Sequence, residues 1–156
     1  MWGTDGVRIA TVDDGIVWIF SSVDHCDGMC TGIHAAKIGD RFAALEPISH
    51  ALLGEFGSVV ADAGRGLSLK NGSRLAKRLG GLSRSDQVPG HHAELRLRRR
   101  TPERWRRRAV RRTMKEQVIH GRIFKNLEEV RAAAIAFRDR YHRDRCLEKL
   151  GFQSPL

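Results

Sequence analysis

V-R-I-A-T-V-D-D-G-I-V-W-I-F, running from Val7 to Phe20, is the stretch whose reading decides the fold. Val7, Ile9 and Thr11 alternate with Arg8, Ala10 and Val12, the period of a strand with one buried face. Asp13, Asp14 and Gly15 then supply turn chemistry, and the apolar run Ile16 to Phe20 follows, so the pattern predicts two antiparallel strands joined by a hairpin. A second turn-like patch, Asp24 to Gly28, leads into Cys30 to Ile38, whose β-compatible residues predict the third strand of a meander.

Working outward, Asp40 is a candidate N-cap, and Phe42, Leu45, Ile48, Leu52 and Phe56 recur at spacings of three and four, one stripe of an amphipathic helix. Pro47 interrupts that stripe, so either the helix kinks there or a helix proper begins with Pro47 at its first position. Val59 to Ala61 and Leu67 to Leu69 read as short extended segments, one of which should rejoin the sheet. Near the C-terminal end Asn126 caps a helix with Glu129 three residues later, and Val130, Ala133, Ala134, Phe137 and Tyr141 form its apolar face. At 156 residues the expectation is one α/β domain, a mixed sheet with helices packed on it.

The net charge of +10 is localised. Between Gly72 and Arg112 stand 14 of the 28 Lys and Arg residues but only 3 of the 18 acids, so the remainder of the chain is near neutral. That segment has no sustained period of two or of 3.6, and its arginine clusters, Arg98, Arg99, Arg100 and Arg106, Arg107, Arg108, lack the acids that normally balance a surface helix. Taken as native sequence, it makes a basic surface that would bind nucleic-acid phosphates without sequence preference. No apolar run reaches membrane-spanning length, and three cysteines do not make a secreted disulfide framework, so a protein of a reducing cytoplasm, with no membrane partner, is expected. Asp24, His25, Cys26, Cys30 and His34 include zinc-ligand types, yet no second paired half accompanies them, and a turn between strands is the simpler reading. No phosphate-binding loop and no Ser/His/Asp signature occurs.

W-G-T-D-G at Trp2 to Gly6, D-D-G-I-V-W-I-F at Asp13 to Phe20, V-D-H-C at Val23 to Cys26 and G-D-R-F-A-A-L-E-P-I-S at Gly39 to Ser49 together resemble bacterial insertion-sequence transposases with a retroviral-integrase-like core. R-T-M-K-E-Q-V-I-H-G-R-I-F at Arg112 to Phe124, E-E-V-R-A-A at Glu128 to Ala133 and L-G-F-Q-S-P at Leu150 to Pro155 resemble the end of the same domain. The resemblance spans roughly residues 1–71 and 112–156, in order. It implies an RNase H-like fold within a partial catalytic core covering 1–156, DNA as partner, Mg²⁺ as cofactor, a homo-oligomer in the intact family, and cutting and joining of DNA strands. It also implies that Asp5, on the first strand, matches one catalytic, metal-binding Asp. Two divalent metals need several converging carboxylates, and one is not enough. The family's second Asp, in a motif like D-H-G-S-Q-Y after the fourth strand, and its Glu, in a motif like N-G-V-A-E-R-F on a later helix, are both absent here.

The genetic code accounts for their absence. Back-translated and read one nucleotide later, Gly72 to Lys77 permits D-H-G-S-Q, and Gly90 to Arg111 permits A-I-T-P-S-F-A-F-V-A-E-P-Q-N-G-G-V-A-E-R-F. Both missing acids lie in the other frame. Residues 72–112 therefore read as frameshifted sequence that disrupts the middle of the fold, its arginines a by-product of the codons. Asp62, Glu116 and Glu128 are the other acids available as substitutes, but Glu116 lies about two helical turns, roughly 11 Å, beyond the codons for the family's Glu. The resulting expectation is a catalytically inactive remnant. The alternative is a non-enzymatic basic protein that binds nucleic acid through its arginines.

Overall fold

The computed structural model describes residues 1–60, 63–71 and 110–144. Strand β1, Trp2–Thr11, pairs antiparallel with β2, Gly15–Asp24, in one unbroken register from Thr11 opposite Gly15 to Trp2 opposite Asp24. Gly15 takes a left-handed φ of 67°, which its lack of a Cβ permits, and the hairpin turns where the Asp13, Asp14, Gly15 signal puts it. Strand β3, Gly32–Ala36, pairs antiparallel with β2 and is shorter than the stretch from Cys30 to Ile38 suggested. Strand β4, Leu69–Asn71, joins the other edge of β1 in parallel, so the order is β3-β2-β1-β4. Of the two candidate segments, the one at Leu69 entered the sheet; Val59 and Val60 are exposed and belong to no strand.

Helix α1, Arg41–Phe56, connects β3 to β4. The Asp40 carboxylate accepts the Ala43 N–H at 2.8 Å, a cap worth about 1 kcal/mol, and Gly57 closes the far end with φ 72° and its N–H on the Leu53 carbonyl. Pro47 neither starts nor ends the helix; it lies inside it. The stripe expected from Phe42 to Phe56 is rotated: Phe42 and Phe56 are exposed, and the buried residues are Ala43, Ala44, Pro47, Ile48, Ala51 and Leu52. Small residues win the sheet-facing positions because the backbones approach closely. A Cβ built on Gly32 would stand 1.9 Å from the Pro47 carbonyl oxygen, and that same oxygen accepts the Ser22 hydroxyl at 3.1 Å.

The other sheet face is covered by α2, helical over 110–114 and widening to a π turn at Lys115–Ile119, and by α3, Leu127–Asp144. The π turn closes with the His120 N–H on the Lys115 carbonyl at 2.8 Å. Asn126 caps the helix by accepting the Glu129 N–H at 3.1 Å, as the spacing predicts, while the Glu129 carboxylate reaches back one residue further, to the Lys125 N–H at 2.7 Å. Two-residue alternation sorts the strands' side chains between the faces. Val7, Ile9, Val17 and Ile19 form one core with Val110, Met114, Val118, Val130 and Phe137, while Trp2, Leu69, Ile48 and Leu52 pack on the α1 side. Each large side chain fully withdrawn from water contributes about 1.5–3 kcal/mol. Val110 to Arg112, assigned above to the aberrant segment, are helical, and Val110 is only 2% exposed. No helix among the described residues is long and apolar enough to cross a membrane.

Candidate functional site

Asp5 stands in the middle of the sheet, on β1, which has β2 on one side and β4 on the other. By alternation it shares a face with Val7 and Ile9, the face that α2 covers. Its two carboxylate oxygens have different partners. Oδ1 accepts the Gly6 N–H at 2.9 Å, and Oδ2 accepts the Arg111 guanidinium of α2 at 3.2 Å. The pair is partly open to water, the Asp5 side chain 22% and the Arg111 side chain 32% exposed.

This donor set does not fit a pair of magnesium ions. A hard dication needs several oxygen ligands, and here a cation of the protein itself sits on the one carboxylate. Asp5 belongs to no group of three or more metal-ligating side chains among the described residues. Glu116 is engaged with Arg112 on α2 at 2.6 Å and Glu128 with Arg131 on α3 at 2.6 Å, each an exposed ion pair within its own helix. Asp62 and the arginine clusters 98–100 and 106–108 lie outside the described residues.

The residues weighed for zinc near the second turn do not converge on a metal. Asp24 instead organises the turn: its Oδ1 accepts the Cys26 N–H at 2.6 Å and its Oδ2 accepts the Trp2 indole N–H at 3.2 Å. Cys26 is exposed, whereas Cys30 is buried and its thiol is pushed up to about 12 by burial, so it stays protonated. His34 faces elsewhere, toward α1. With Glu46 and His50 it forms a cluster whose ligand atoms all lie within 4.8 Å of one another. Glu46 and His50 were not singled out from the sequence, although a Glu and a His four apart on a helix share one face, and that spacing was available to be read.

Compared with models of known families and with curated proteins, the chain matches none.

Proposed function

We propose that this chain is the catalytically inactive remnant of an RNase H-like transposase core, a protein of DNA strand transfer that has lost its acidic set. The observation that carries the reading is a convergence on Asp5. Strand β4 ends at Asn71, paired with Thr4, the neighbour of Asp5, and the codons that permit the second-Asp motif begin with the next residue, Gly72. The codons that permit the family's Glu precede Arg111 by about three residues in the sequence, and Arg111 reaches the Asp5 carboxylate at 3.2 Å. Asn71 and Arg111, which adjoin those two stretches in the sequence, are thus both close to Asp5. The expected meander, helix and fourth strand, with Asp5 in the first strand, support the same reading.

Among the described residues no three acids converge at Asp5, and without such a set two metals cannot be held over a phosphodiester. The gene's nucleotide sequence, read in all three forward frames, tests the proposal: the second-Asp motif should stand one nucleotide out of frame at codons 72–77 and the Glu motif at codons 103–111. Unrelated residues in that frame would sink it. The rival reading, nucleic-acid binding through the arginine segment, has less in its favour, because Arg111 and Arg112 at the end of that segment are engaged with Asp5 and Glu116.

A further inference from the structure

We propose that His34, Glu46 and His50 form a binding site for a zinc-class divalent transition metal, on the sheet face opposite the one Asp5 occupies. Glu46 and His50 are one turn apart on α1, and the carboxylate Oε2 and imidazole Nε2 already lie 3.8 Å apart. His34 comes from β3, opposite Phe20 in the ladder, on the side that packs against α1. Its ring meets that of His50 at 6.0 Å between centroids and an angle of 68°. Two imidazoles and a carboxylate are a recurrent three-ligand set for zinc, with a remaining position for water. At metal–ligand distances of about 2.0–2.2 Å the ligand atoms must stand roughly 3.3 Å apart. The present spread of up to 4.8 Å therefore has to close by about 1.5 Å at most. Glu46 and His50 are about half exposed, at 49% and 48%, and have the rotamer freedom to do so.

The surroundings favour the neutral, ligating form of the fixed histidine. Burial lowers the pKa of His34 from its ordinary value, opposed by the Glu46 carboxylate and assisted by His50 and Arg131. Arg131 is the cation that a metal would meet, but its guanidinium is tied to Glu128 at 2.6 Å and to the Ala35 carbonyl at 3.1 Å. His34 is thereby a half-buried anchor on a strand, and Glu46 and His50 are the jaws on a helix that packs on it. The site does not depend on the proposed ancestry of the chain.

Titration of the full-length protein with Zn²⁺ tests this, in a Cys26→Ser, Cys146→Ser background so that these thiols do not take the metal. Calorimetry should give one zinc per chain. His50→Ala and Glu46→Gln, both at exposed positions, should each weaken binding on the order of tenfold or more, since each removes one of three ligands. His120→Ala, a change at an exposed histidine outside the cluster, should leave it unchanged. Circular dichroism spectra identical to the parent's qualify each variant for comparison. No zinc binding by the parent protein, or parental affinity in His50→Ala and Glu46→Gln, would overturn the proposal.

Discussion

If Arg111 occupies the charge position that a metal would take at Asp5, removing either partner should cost stability and removing both should cost less than the sum. At 3.2 Å two unit charges attract by about 5 kcal/mol in a medium of effective dielectric 20. Most of that is offset, because both side chains keep part of their hydration and Arg111 gives up rotamer freedom to reach across from α2. The single N–H to oxygen contact leaves an expected coupling of about 1 kcal/mol, with Asp5→Ala the costlier single change because it also removes the acceptor of the Gly6 N–H. Urea unfolding of the parent, Asp5→Ala, Arg111→Ala and the double variant gives the coupling as the deviation from additivity. Magnesium provides the second arm: at millimolar concentration it should not raise the melting temperature of the parent. A coupling within about 0.3 kcal/mol of zero would show that the ion pair does no work. Magnesium stabilisation of the parent that disappears in Asp5→Asn would show that the carboxylate still holds a metal, and the account of the site would be wrong.

Gly32→Ala should be among the most damaging single changes, costing roughly 3 kcal/mol or more, because its Cβ would stand 1.9 Å from the Pro47 carbonyl oxygen and force α1 off β3; a urea midpoint equal to the parent's would contradict the close approach. Phe137→Ala, at a position with no solvent exposure, should cost about 3–5 kcal/mol by the same measurement. Acidification should weaken the fold in two windows. Burial lowers the pKa of both His142, whose Nε2 accepts the Cys30 N–H at 3.1 Å, and His34, so in each case the unfolded chain binds the proton more readily. Their contribution is complete above the unfolded value near 6.5 and is lost as pH falls through the lower folded values. Asp14, held below its ordinary value by the bond from Lys37 and then by the Leu127 N–H, adds stability above pH 3.8 that is lost as pH falls through its folded value. His142→Gln should flatten part of the upper step in a series of urea midpoints, and an unchanged slope would refute the assignment. Purified protein should neither nick nor join DNA with Mg²⁺ or Mn²⁺, and metal-dependent nicking abolished by Asp5→Asn would overturn the inactive reading.

The hairpin, the Asn126 cap and the fourth strand at Leu69 were legible because each rests on local chemistry: a turn with glycine at positive φ, a side chain within reach of free N–H groups, a short apolar run. The buried face of α1 was legible only in part. Of the stripe read from the largest apolar residues, Ile48 and Leu52 are buried as expected, but Phe42 and Phe56 are exposed and Ala43, Ala44, Pro47 and Ala51 complete the face, since the distance between backbones decides those positions and not the area each side chain offers. The His34 cluster was hidden for a related reason: His34 comes from a strand and Glu46 and His50 from a helix, and although the helical pair has a readable spacing, no spacing along the chain brings His34 to it.

The end of the aberrant segment is the most instructive case. Reading frame alone set that boundary at residue 112, yet Val110 packs in the same core as Met114 and Val118, at the four-residue intervals of a single buried stripe. On the proposed frameshift, side chains would change without regard to the fold, so a residue at its edge would enter the core only if its new side chain were apolar and of tolerable size. Valine meets that condition at 110. Arginine at 111 does not, and its side chain leaves the apolar face for the carboxylate of Asp5. Val110→Asp would place a charge where the structure has 2% exposure, and it should cost about 3 kcal/mol or more if α2 is packed from residue 110 onward. A loss below about 0.5 kcal/mol in urea unfolding would mean that the ordered helix begins later, at Thr113 or beyond, and that Arg111 is not held against Asp5.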